Sequence, residues 1–145
     1  MHDTPLPDPL EAEDDPLAFT PVPLKNLRHD GWTERRQRDF IAALAAMGSV
    51  RHALRAVGKT KQSAYVLRNR PGAESFAAAW DLALLMGYEL ALGRAMNLAI
   101  NGVTKEYFYK GKRIGSTRIF NDRILIAALS NRPPNPFAAR DQEVE

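Results

Sequence analysis

Ser49–Gly72 reads SVRHALRAVGKTKQSAYVLRNRPG, and two short helices around a tight turn account for it. Ser49 is a side-chain cap, and Val50, Ala53, Leu54 and Val57 fall on one helical stripe that Gly58 ends. Thr60 then caps KQSAYVLRNR, which Pro71-Gly72 terminates. Ala53 stands where two crossing helices must approach closely, while Ala64 and Leu67 give the second helix an inner face. Its outer face carries Lys61, Gln62, Ser63, Tyr65, Arg68 and Asn69, with no Asp or Glu through Arg70. Support helix, Gly-containing turn and donor-rich second helix are the parts of a helix-turn-helix.

The residue types on that face fit double-stranded DNA. Gln and Asn pair bidentately with adenine, Arg with guanine, and Ser or Lys with phosphate. Tyr65 fits either the core or a phosphate. The helix start, with Lys59, Thr60 and Lys61, also offers free amides to a phosphate. The candidate DNA-contacting set is therefore Lys59, Lys61, Gln62, Ser63, Tyr65, Arg68 and Asn69.

Working outward, Gly31-Trp32-Thr33 precedes ERRQRDFIAALAAMG, where Thr33 caps a helix with Phe40, Ile41, Leu44 and Met47 at helical spacing and Gly48 as its stop. Arg35, Arg36 and Arg38 crowd the start of this helix, against its macrodipole, which suits an approaching polyanion. Before it, the first 24 residues hold six of the ten prolines and six acids with no Lys or Arg; 1–31 reads as a disordered acidic arm. Leu17, Phe19, Val22 and Leu24 in it are able to dock on a partner or on the domain itself.

Beyond Gly72, residues 73–101 follow one long helical pattern of about 40 Å, more than the preceding unit can cover. Phe76 to Leu92 is apolar nearly all round, but Asp81 and Glu89 near its centre would each cost about 2.5–3.5 kcal/mol in a bilayer. With Ala77, Ala78, Ala79, Ala83, Gly87 and Ala91 allowing close approach, it reads as a homo-oligomer helix over 73–102 rather than a membrane span. VTKEYFYKGKRIGSTRIF then switches to a hairpin around Lys110-Gly111, with Tyr107 and Tyr109 on one face and Phe108 on the other. These aromatics suit core or interface use; Lys105, Lys110, Lys112, Arg113 and Arg118 also suit a second DNA-contacting wing. Asn121 or Asp122 caps DRILIAALSN, whose stripe is Ile124, Leu125, Ala128 and Leu129. The expected fold is mainly α: a three-helix helix-turn-helix unit over 32–72, an oligomerisation region over 73–132 comprising long helix, β-hairpin and short helix, and a flexible tail over 133–145.

Charge is distributed in blocks. Residues 25–72 hold eleven Lys and Arg against Asp30, Glu34 and Asp39, a net of +8, and residues 103–132 reach +5, between acidic blocks. Such alternation points to a phosphate-rich or acidic partner. With no cysteine, cysteine-ligated metals, disulfides and cysteine nucleophiles are excluded. His2, His29 and His52 lack metal-ligand spacing, there is no phosphate-binding Gly-x-x-x-x-Gly-Lys-Ser/Thr loop, and no carboxylates cluster for metal-dependent hydrolysis. A non-enzyme without cofactor or metal is expected, and the acidic, proline-rich opening without a signal pattern suggests the cytoplasm.

The order WTERRQRDFIAALAAMGSVRHALRAVGKTKQSAYVLRNRPGAESFAAAWDLAL, then YKGKRIG in a hairpin and NDRILIAAL opening a helix, resembles the small terminase subunit-like helix-turn-helix proteins of bacteriophages and prophages over about residues 32–134. The resemblance implies cytoplasmic action in a bacterial host. It also implies N-terminal helices that bind the packaging-initiation region of phage DNA, middle helices that assemble a ring, and a remainder that engages the large ATPase/nuclease terminase subunit. By position it places Lys59, Lys61, Gln62, Ser63 and Arg68 toward DNA, and Trp80, Leu84, Tyr88 and Leu92 in the oligomer or core region. The acidic arm before Trp32 is outside it. A dimeric helix-turn-helix transcriptional regulator uses the same motif, its half-sites about one DNA turn or a multiple apart.

Overall fold

The computed structural model describes residues 15–25 and 30–138. Among these are five helices and one antiparallel hairpin, in the order α1 (Glu34–Met47), α2 (Val50–Val57), α3 (Lys61–Arg68), α4 (Glu74–Asn101), β1 (Val103–Tyr109), β2 (Lys112–Ile119) and α5 (Arg123–Ser130). The three anticipated caps form. The hydroxyl of Thr33 accepts from Arg36 N at 3.2 Å, that of Ser49 from His52 N at 3.4 Å, and that of Thr60 from Ser63 N at 3.2 Å. α3 stops at Arg68, two residues short of the expected span, with Asn69 as its C-cap. At the other end of the chain Asp122 makes no side-chain cap; Asn121 Oδ1 instead accepts from Arg123 N at 3.1 Å.

Each short helix turns apolar residues to a common core: Phe40 and Leu44 from α1, Ala53 and Leu54 from α2, Ala64 and Leu67 from α3. No one of these helices is long enough to persist alone, so packing is what fixes them. The N-terminal half of α4 closes the core with Phe76, Ala79, Trp80 and Ala83. Its aromatic rings meet edge to face, Phe40 and Trp80 at 4.8 Å and 71°, Phe76 and Trp80 at 5.9 Å and 89°. Gly87 of α4 lies directly against Gly48 and the Leu44 carbonyl, so α1 and α4 touch backbone to backbone. The small-residue face read as an oligomer contact is thus used within the chain through Ala79, Ala83 and Gly87, because α1 is the helix it admits.

The expectation of a loose arm over 1–31 is corrected for residues 15–25. Val22 is 2% exposed, Leu17, Phe19 and Leu24 pack on the same core, and Phe19 meets Phe76 at 5.7 Å. Gln37, fully buried, holds this strap: its Oε1 accepts from Val22 N at 2.8 Å, and its Nε2 donates to Val22 O at 3.2 Å and Trp32 O at 3.0 Å. Each apolar side chain of the strap removes surface from water, while one amide side chain replaces the backbone partners that no sheet supplies. The rest of the expected arm, 1–14 and 26–29, lies outside the described residues, as does 139–145 of the expected tail.

Beyond Gly87 the long helix leaves the core. Tyr88 Oη donates to Ala128 O at 2.7 Å, joining α5 to α4, and Ala95 is buried, but Leu90, Met96 and Ile100 are exposed. By length and composition α4 is apolar enough to cross a membrane; its first half is packed in the helical body and its Asp81 is ion-paired. Lys110 and Gly111 turn the hairpin with φ of 47° and 77°, the positive pair that the I′ form of a two-residue turn requires. Every strand residue is exposed, so Tyr107, Phe108 and Tyr109 are not core residues of this chain.

Candidate nucleic-acid interface

α3 is positioned from both ends. At its start, the turn Gly58–Thr60 is fixed by Gly58 in the left-handed region at φ 68°, with Lys59 N donating to Leu54 O at 3.0 Å. Lys59 folds back, its ammonium donating to Asp30 O and lying 5.8 Å from the Trp32 ring centroid. Ser63 Oγ donates to Thr60 O at 2.9 Å and accepts from Trp32 Nε1 at 3.3 Å. The Thr60 cap takes the Ser63 amide, which leaves those of Lys61 and Gln62 without a helical acceptor at the start of α3.

At its end, Arg68 is committed inside the protein. Its Nη1 and Nη2 reach Asp81 Oδ1 at 2.9 Å and Oδ2 at 3.0 Å, a fork-to-fork pair, and its guanidinium stacks 5.1 Å from the Trp80 centroid. Asp81, which the sequence shows only as an acid in an apolar helix, is therefore the partner that ties α3 to α4. Tyr65 leans on Trp80 at 5.2 Å between centroids and keeps 39% of its surface exposed.

The seven candidates thus separate. Lys61, Gln62 and Asn69 are exposed on the outer side of α3, with Tyr65 partly so; Lys59, Ser63 and Arg68 are engaged in holding the helix. Two exposed neighbours join the outer side without having been singled out: Val66, 53% exposed, and Arg70. An apolar residue on a donor-rich face suits a thymine methyl, and the signal for Val66 was its lying opposite the buried pair Ala64 and Leu67. Arg51 and Arg55 of α2 are exposed as well.

The arginines opening α1 have an internal explanation that the sequence reading lacked. Arg35 lies 3.9 Å from Asp39 and Arg38 lies 3.6 Å from Glu34, both one helical turn apart, while Arg36 Nη1 donates to Gly31 O at 2.7 Å. Their position against the macrodipole does not require a polyanion. Among the described residues, no three His, Asp or Glu gather to hold a metal ion. No protein-family model, curated protein or solved structure matches the chain.

Proposed function

We propose that α2, the Gly58–Thr60 turn and α3 form a helix-turn-helix that lays α3 in the major groove of double-stranded DNA. The observation that carries this is the outer side of α3: Lys61, Gln62, Asn69 and Arg70 are exposed together with no acidic side chain among residues 61–70. Gln62 and Asn69 supply base-edge recognition, Lys61 and Arg70 contact phosphate, and Val66 contacts a thymine methyl. Arg68 acts from behind, holding α3 on α4 through Asp81.

Several copies assemble through the part of the chain that the core leaves open. Leu90, Met96 and Ile100 of α4 and Ile124, Ile126 and Leu129 of α5 are each at least 46% exposed, apolar side chains that assembly would remove from water. Repeated along a ring, a modest DNA contact on each subunit gains affinity by multivalency. On the strength of the family resemblance, the role of such a ring is that of a small terminase subunit, marking phage DNA for packaging and recruiting the large ATPase/nuclease subunit.

Native mass and duplex titration test this together. The K61A/Q62A/N69A variant should lose roughly 10-fold or more in duplex affinity while native mass and helical circular dichroism stay unchanged. Undiminished binding would place the interface elsewhere. An assembly of roughly eight subunits supports the packaging reading, whereas a dimer would make the protein a transcriptional regulator.

A further inference from the structure

The hairpin sorts its charges by face. Register pairs Val103 with Ile119, Lys105 with Thr117, Tyr107 with Gly115 and Tyr109 with Lys112, which puts these side chains on one side. Thr104 with Arg118, Glu106 with Ser116 and Phe108 with Arg113 occupy the other, and the register shift between Tyr107 and Phe108 leaves Ile114 as the extra residue of a bulge. The one acid of the hairpin, Glu106, is on this second side, neutralised by Arg113 at 3.5 Å. The first side therefore carries Lys105 and Lys112, with Lys110 from the turn, and no counter-charge.

Its cations and rings are interleaved. Lys105 Nζ lies 5.5 Å from the Tyr107 centroid and Lys110 Nζ 5.5 Å from that of Tyr109. Tyr107 and Tyr109 are 43% and 62% exposed. They stand two residues apart on one strand, about 7 Å, or two base steps of a nucleic-acid strand. A second copy laid on this face would set lysine against lysine, and a purely apolar partner would bury three charges without compensation. A polyanion with flat aromatic groups along it meets both features at once, its phosphates on the lysines and its bases on the tyrosine faces.

We propose that the Lys105–Tyr107–Tyr109–Lys110–Lys112 face is a second nucleic-acid contact, which grips the sugar-phosphate backbone without reading sequence. It is separate from α3, and titrations with the outer residues of α3 already replaced tell the two surfaces apart. In the full chain carrying K61A/Q62A/N69A, a fluorescein-labelled single strand of about 20 nucleotides and a duplex of the same length and arbitrary sequence are followed by anisotropy at about 50 and about 200 mM salt. Adding K105Q/K110Q/K112Q should lower the low-salt affinity at least 10-fold. Loss of three phosphate contacts per subunit should flatten the salt dependence by about 2.7 in log–log slope on duplex, roughly a 40-fold smaller drop in affinity between the two salt concentrations. The charge-preserving K105R/K110R/K112R should bind as the parent does. Loss on both nucleic acids assigns the contact to the shared backbone and upholds the proposal; loss confined to the single strand assigns it to unpaired bases and overturns the backbone grip. Unchanged affinity and slope overturn it, as does a fall in native mass on Gln substitution, which would make the face a subunit contact.

Discussion

Replacing Gly87 by Ala places a methyl carbon 2.3 Å from Leu44 O, 2.4 Å from Gly48 N and 2.6 Å from Gly48 Cα. Ordinary non-bonded contact begins about 1 Å farther out. All three obstacles are backbone, so no rotamer change relieves the clash; α1 and α4 must separate. A radial gap of about 1 Å forfeits up to about half of each dispersion contact across the Phe40, Leu44, Trp80 and Ala83 interface. Overpacking commonly costs about 1–3 kcal/mol, and with rigid backbone on both sides the cost here should be about 3 kcal/mol or more. For a domain of this size, that lowers the thermal midpoint by on the order of 10–20 °C. Gly93, six residues along the same helix, is the control: a Cβ there meets nothing within 4 Å, and its φ is not in the left-handed region. Gly93→Ala should therefore gain about 0.5–1 kcal/mol through the lower conformational freedom of the unfolded chain. Calorimetry of the two variants beside the parent checks both signs. A Gly87→Ala midpoint within a few degrees of the parent would refute the backbone-to-backbone packing of α1 on α4, and a loss at Gly93 would show that another copy covers that face.

Two further substitutions probe how the helices are held. Gln37→Leu keeps side-chain volume but strands the Val22 amide and the Val22 and Trp32 carbonyls; chemical denaturation should show a loss of about 2–4 kcal/mol, and limited proteolysis should cut faster within 15–25. Equal stability would mean that water replaces the amide fully. For Arg68 and Asp81, a double-mutant cycle on R68A and D81A should return a coupling of about 1 kcal/mol, small because the pair is only partly shielded, with duplex affinity at low temperature changed less than about threefold. Abolished DNA binding by a folded R68A protein would instead make Arg68 a direct contact.

The local chemistry of the helical unit was legible because it depends on near neighbours. Thr33, Ser49 and Thr60 cap through the amide three positions on, Gly48 and Gly58 stop helices by adopting positive φ, and Lys110-Gly111 turns the hairpin for the same reason. What misled was the assumption that a charged or small residue faces outward. Arg68 looked like a donor on an open helix face, yet Asp81, thirteen positions later, lies where its guanidinium ends. The arginines of α1 suit an approaching phosphate by sequence, yet Glu34, Asp39 and the Gly31 carbonyl lie within five residues of them and take up those contacts.

By itself the chain specified to within about two residues where helices and the hairpin begin and end, because caps, stops and apolar periods act over a few residues. Which apolar surfaces meet depends on contacts between residues tens of positions apart, and there only the tertiary arrangement decided. It folded the 15–25 strap onto Gln37 and Phe76, turned Ala79, Ala83 and Gly87 inward against α1, and left the second half of α4 with α5 and the hairpin uncovered. A glycine or alanine pattern states that close approach is possible; only the fold states which backbone does the approaching.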